Sequence, residues 1–168
     1  MNKKSFTFIE FLIVVAIFAI IGVIAFVAVN PIARFQDSRN EKRWTDANKI
    51  LNAIKVDQVD NGGSFLTSIE KAKPGAKYMI TNGSGDNCDA LNDYCETNVN
   101  TETTSGEFCL DLSGLVKQEY LESLPVSPNG KGDWSKSMTG YTLEKSQDGV
   151  ITIRACEAEG DPEIWLAR

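Results

Sequence analysis

Glu10 is the single charged residue between Ser5 and Asn30. A carboxylate near the start of a membrane span costs up to a few kcal/mol, depending on depth, so it needs a partner; the chemistry open to it is pairing with a cation. The other reactive groups are four cysteines, Cys88, Cys95, Cys109 and Cys156. An even number of cysteines behind a membrane-directing N-terminus points to disulfides in an oxidising compartment. No two are spaced C-x2-C, which disfavours zinc as their purpose. The chain has no histidine, so His-based triads and His-containing metal sites are excluded. Asp86, Asp89, Asp93 and Glu96 do not follow the EF-hand calcium spacing and are read as solvated loop acids. Gly83-Ser84-Gly85 lacks the lysine and the strand-to-helix setting of a phosphate loop, and is read as a turn. No catalytic residue, metal or cofactor is expected.

The element that must hold Glu10 is a long apolar helix. Lys3 and Lys4 precede it, and Phe11 to Val29 run without a charge. Those residues span about 28 Å as a helix, close to the roughly 30 Å hydrocarbon core of a bilayer. The run is apolar on every face, so lipid or other helices must surround it. Its length and bulky Phe26 argue against a cleavable secretory signal. Asn30-Pro31 ends the run, and a kink is expected at Pro31, with Gly22 loosening the span further. Beyond it, Trp44, Ala47, Leu51 and Ile54 recur at helical spacing as a core-facing stripe. Arg39, Glu41, Lys42, Arg43, Asp46 and Lys49 are assigned to the other, solvated faces. Asn61-Gly62-Gly63 stops the helix.

The second half reads as a small β-rich domain. Lys77 to Thr81 and Glu107 to Leu110 are candidate strands, and Leu112, Leu115, Val116 and Tyr120 fit one face of a short helix. Tyr141 and Leu143, a turn at Ser146 to Gly149, then Ile151, Ile153 and Ala155 predict an antiparallel hairpin. The tail Ile164-Trp165-Leu166 is expected to pack on its own domain. Cys109 and Cys156 fall out of phase with the apolar residues of their strands. That favours the pairs Cys109–Cys156 and Cys88–Cys95 among the three possible. The formal charge of −6, with most acids beyond residue 56, argues against a broad nucleic-acid-binding face.

Lys3-Lys4-Ser5-Phe6-Thr7-Phe8-Ile9-Glu10 resembles the leader and mature start of bacterial type IV prepilins and pseudopilins. Leu121 to Pro128, Thr139-Gly140-Tyr141-Thr142 and the hairpin ending at Cys156 are similar to the outer domain of the same family. The resemblance implies an α+β fold in which a long N-terminal helix, membrane-spanning in its first half, packs on a small antiparallel β-sheet. It divides the chain into a leader (1–5), a transmembrane and filament-core helix (6–29), an amphipathic continuation (30–62) and a disulfide-stabilised extracellular domain (63–168). It implies cleavage between Ser5 and Phe6, N-methylation of Phe6, and an assembly role for Glu10 against the terminal amine of a neighbouring copy. The implied function is a structural filament subunit rather than an enzyme. Its implied partners are other copies or related pilins, the membrane, a prepilin peptidase and an ATPase-driven platform. It would reside first in the cytoplasmic membrane, single-pass with the N-terminus inside, and then in a surface filament. The alternative is a signal-anchored extracellular binding or adhesion domain that does not polymerise.

Overall fold

The computed structural model describes residues 6–83, 95, 109–160 and 163–168. The chain divides into two compact units, residues 1–37 and 38–168.

The first unit is built on α1 (Phe8–Val29). Thr7 caps it with extended backbone, and its hydroxyl accepts from the Glu10 amide. At about 1.5 Å per residue the 22 residues extend about 33 Å. The helix is exposed on all sides, Phe18 and Val27 at 70% each. It ends at Asn30, which takes the left-handed conformation (φ 43°) and returns its N–H to the Val27 carbonyl. Pro31, with no N–H to lose, opens α2 (Pro31–Asp60). The break thus falls at Asn30, and Gly22 lies inside an unbroken stretch of α1.

The second unit takes α2 from Ser38 onward, α3 (Thr67–Lys71), α4 (Ser113–Lys117) and five strands. These are β1 (Lys77–Thr81), β2 (Cys109–Asp111), β3 (Tyr141–Lys145), β4 (Ile151–Ala155) and β5 (Trp165–Ala167), in the order β2-β1-β3-β4-β5. The expected hairpin is present as β3 and β4, with Tyr141 opposite Ala155 and Leu143 opposite Ile153. The tail is β5: Ile164 and Leu166 join the core while Trp165 is half exposed. α2 stops where Gly63, at φ 100°, donates its N–H back to the Gln58 carbonyl at 2.8 Å.

Ala47, Ile50, Leu51 and Ile54 of α2 pack with Tyr78, Ile80, Leu110, Tyr141, Leu143, Ile151 and Ile153 from one face of the sheet. Leu112, Leu115 and Leu124 close that core. The opposite face carries a second, smaller cluster of Met79, Trp134, Met138 and Cys156, flanked by Cys95, Cys109 and Val126.

Three expectations change. The sheet is mixed rather than antiparallel, because β2 runs parallel to β1 with Met79 opposite Cys109. Parallel neighbours need a long crossover, and β1 and β2 lie far enough apart in sequence, Thr81 to Cys109, to allow one. Trp44 is 39% exposed and is not part of the core stripe. Arg43 and Asp46, assigned to solvent, are buried at 0% and 3% exposure, because α2 meets polar partners on that side as well as apolar ones.

Candidate functional site at the head of an exposed apolar helix

Glu10 sits in the first turn of α1 and is bound to Thr7 alone among the described residues. Its Oε2 accepts from the Thr7 N–H at 2.8 Å and from the Thr7 hydroxyl at 2.7 Å. With the reverse bond from the Glu10 N–H to Thr7 Oγ1, this is a reciprocal capping box. The helix N-terminus carries partial positive charge, so an acid is favourable there. No described residue forms an ion pair with Glu10. Thr7 was not among the residues assigned a role above, although Thr7-x-x-Glu10 is itself the sequence signature of this cap.

Around that carboxylate the surface is uniformly apolar. From Phe11 to Phe26 the large side chains of α1 are 41–70% exposed. α1 opens a helical segment long and apolar enough to cross a membrane. Phe6 is 75% exposed at its head; Ser5 and the leader before it lie outside the described residues.

Within the second unit, a buried polar cluster fastens α2 to the segments around it. Arg43 is fully buried and donates to Ser127 Oγ (3.2 Å), Asn40 Oδ1 (3.0 Å), Glu159 Oε1 (3.1 Å) and the Pro128 carbonyl (3.1 Å). Glu157 Oε2 lies 3.6 Å from its guanidinium. Glu157 in turn accepts from the Lys131 and Gly132 amides. A Cβ at Gly130 would meet Glu157 Oε2 at 2.2 Å, so the glycine makes room for the carboxylate. Arg39 pairs with Glu159. Bonding to Arg39, opposed by burial and helped by Arg43, holds the Glu159 carboxyl below the usual range. Tyr141 donates to Asp46 Oδ2 at 3.1 Å, and burial, with the Asp46 charge, pushes its phenol far up. This cluster binds α2 to the segment after β4. Nothing in the sequence periodicity separates such a buried arginine from a solvated one.

The cysteines pair differently from the expectation. Cys95 is joined to Cys156 across 61 residues, and Cys109 is also disulfide-bonded. Cys88 lies outside the described residues. The proposed Cys109–Cys156 bridge fails on topology. β1 and β3 intervene between β2 and β4, and three strand spacings put about 14 Å between them. A disulfide tolerates only about 7 Å between Cα atoms. Both cysteines do face away from the main core, but that face has its own cluster, where Cys156 is fully buried.

Among the described residues no group of three or more His, Cys, Asp or Glu is placed to hold a metal ion. What the helix head does offer is a lone acid on an apolar, fully exposed rod. Residues 1–26 match the family described as the prokaryotic N-terminal methylation motif. The chain carries the prepilin motif of type IV pilins and pseudopilins. The prepilin segment covers the leader, Glu10 and most of α1, and the α+β fold, a long N-terminal helix with a five-stranded mixed sheet, is pilin-like. Comparison of the chain with curated proteins and with solved structures found no match. The prepilin motif supports a membrane-anchored, pilin-type precursor.

Proposed function

We propose that this prepilin-type chain is a structural subunit of a type IV pilus or pseudopilus filament. It is held before assembly as a single-pass membrane protein with its leader in the cytoplasm. Cleavage between Ser5 and Phe6, followed by N-methylation, frees an amine one residue before Thr7. In the assembled state that amine neutralises Glu10 of an adjoining copy, while the apolar surfaces of α1 bundle together. An acid and an ammonium are each penalised in an apolar medium, and pairing across two chains relieves both. Once the helix has left lipid, bundling keeps the apolar side chains of α1 out of water, and close helix packing adds to it. A peptidase cleaves the leader, and an ATPase-driven platform extracts the helix from lipid.

The observation that carries this reading is Glu10, the one charged group on a helix whose large side chains are exposed throughout. The Thr7 cap gives it a use in any helix but leaves its net charge uncompensated, which an anchor alone does not require. The test is the material sheared from the cell surface. Filaments should contain this chain beginning at methylated Phe6, and Glu10→Ala should leave processed chain in the membrane with filaments lost. Normal filament assembly by Glu10→Ala would refute the role given to Glu10, and surface chain that begins at Met1 and forms no filament would establish the non-polymerising anchored domain instead.

A further inference from the structure

The apolar surface of the first unit does not stop where α1 stops. Past the break at Asn30, Ile32 and Phe35 in the first turns of α2 are 71% and 66% exposed. They lie three residues apart and so share a helix face. Arg34 between them is exposed, and no described residue forms an ion pair with it. Asp37, exposed three residues on, is the other charge in this part of the unit.

The length of α1 says where these residues fall. At about 33 Å, α1 already matches the hydrocarbon core, about 30 Å thick, and each headgroup layer adds about 5–7 Å. Ile32 to Phe35 therefore emerge into the headgroup layer. That is where an aromatic ring and a guanidinium are both well solvated, the ring against acyl carbonyls and the guanidinium against phosphates. The left-handed Asn30 and the proline after it interrupt the hydrogen-bond ladder at this boundary, freeing the next turn from the axis of the span.

We infer that the first turns of α2 form an interfacial anchor for the outer leaflet of the membrane. Ile32 and Phe35 enter the acyl-carbonyl boundary, and Arg34 binds the phosphodiester of a phospholipid headgroup. The anchor fixes how deep the subunit rests before it is withdrawn. It rests on the reading of α1 as a membrane span.

The full-length chain in phosphatidylcholine vesicles tests this by tryptophan quenching, with wild-type emission subtracted. Three variants are compared: Phe35→Trp, Phe18→Trp at mid-span and Val59→Trp far along α2. Trp at position 35 should be quenched about twofold more by lipid brominated near the carbonyl than by lipid brominated deep in the acyl chain. Position 18 should show the reverse order, and position 59 no lipid quenching. Adding Arg34→Glu to Phe35→Trp should weaken the shallow quenching and admit aqueous iodide. If position 35 behaves like position 59 while position 18 is quenched deeply, the anchor is refuted and the span stands. If position 18 is not quenched at all, the membrane reading fails and takes the anchor with it.

Discussion

Replacing Arg43 with methionine should cost about 3–5 kcal/mol of unfolding free energy, as expected for breaking a buried charge pair. Arg43 is fully buried, and its partner carboxylates on Glu157 and Glu159 are only 5% and 16% exposed. Methionine fills much the same volume, so the loss is electrostatic rather than a cavity. Glu159 keeps Arg39. Glu157 keeps only the Lys131 and Gly132 amides, and becomes a buried anion without a cation. The penalty therefore belongs chiefly to Glu157, which gives a second, sharper expectation. Adding Glu157→Gln to Arg43→Met should restore about 1–3 kcal/mol, whereas Glu157→Gln alone should destabilise. Urea unfolding of the full-length chain in detergent, followed by tryptophan emission, measures all three variants. An Arg43→Met loss below about 1 kcal/mol, or strictly additive effects in the double variant, would mean that the buried guanidinium does not compensate Glu157.

Non-reducing peptide mapping should recover Cys95 linked to Cys156; a Cys109–Cys156 peptide would contradict the strand order. Removing that bridge, which spans 61 residues, should cost about 4 kcal/mol in the chain-entropy account, read from the denaturation midpoint of a Cys95→Ser/Cys156→Ser variant. Asp57 is fully buried in the last turn of α2, where the helix dipole disfavours an anion; Asn61 donates to its Oδ1, and its Oδ2 has no hydrogen-bond partner among the described residues. Burial pushes its carboxyl up from the ordinary value. The folded state thus holds this proton more tightly than the unfolded chain, and this site's contribution to stability falls as pH rises through the unfolded and then the folded pKa. Asp57→Asn should remove that slope and stabilise by about 1 kcal/mol at neutral pH, and a variant less stable than wild type at pH 7 would show that the charge has found compensation. Gly140, at φ 76°, has the Trp134 ring 2.6 Å from where a Cβ would stand. Gly140→Ala should lower stability by about 2 kcal/mol or more, and an unchanged melting temperature would contradict that packing.

The parts legible in the sequence are those governed by local periodicity. The uncharged run to Val29, the alternation through Leu143 and Ile153, and the glycines after Asp60 each specify an element without reference to any other. What failed needed knowledge of how elements meet. Arg43 and Ile50 occupy the same side of α2, and only the arrival of Glu157, Glu159 and Ser127 from distant loops makes a buried arginine tolerable there. The same holds for the disulfide. Strand phase correctly turned Cys109 and Cys156 away from the main core, but pairing depends on lateral order, and the parallel β2 placed two strands between them.

Glu10 is the instructive exception, because its local partner was legible in Thr7-x-x-Glu10 and the distant partner we propose for it lies in another copy. The Thr7 cap satisfies one carboxylate oxygen with two donors from the same chain, and each is a neutral hydrogen bond that leaves the net charge in place. In an apolar medium a neutral cap relieves part of the cost, and a cation is required for the rest. Among the described residues the first unit offers Arg34, at least 30 Å further along the helix by rise alone. The capped state is therefore adequate for a subunit resting near the lipid headgroups and inadequate for one packed among apolar helices. In the filament we propose, that difference favours transfer of Glu10 from Thr7 to the amine of another copy at the moment of assembly.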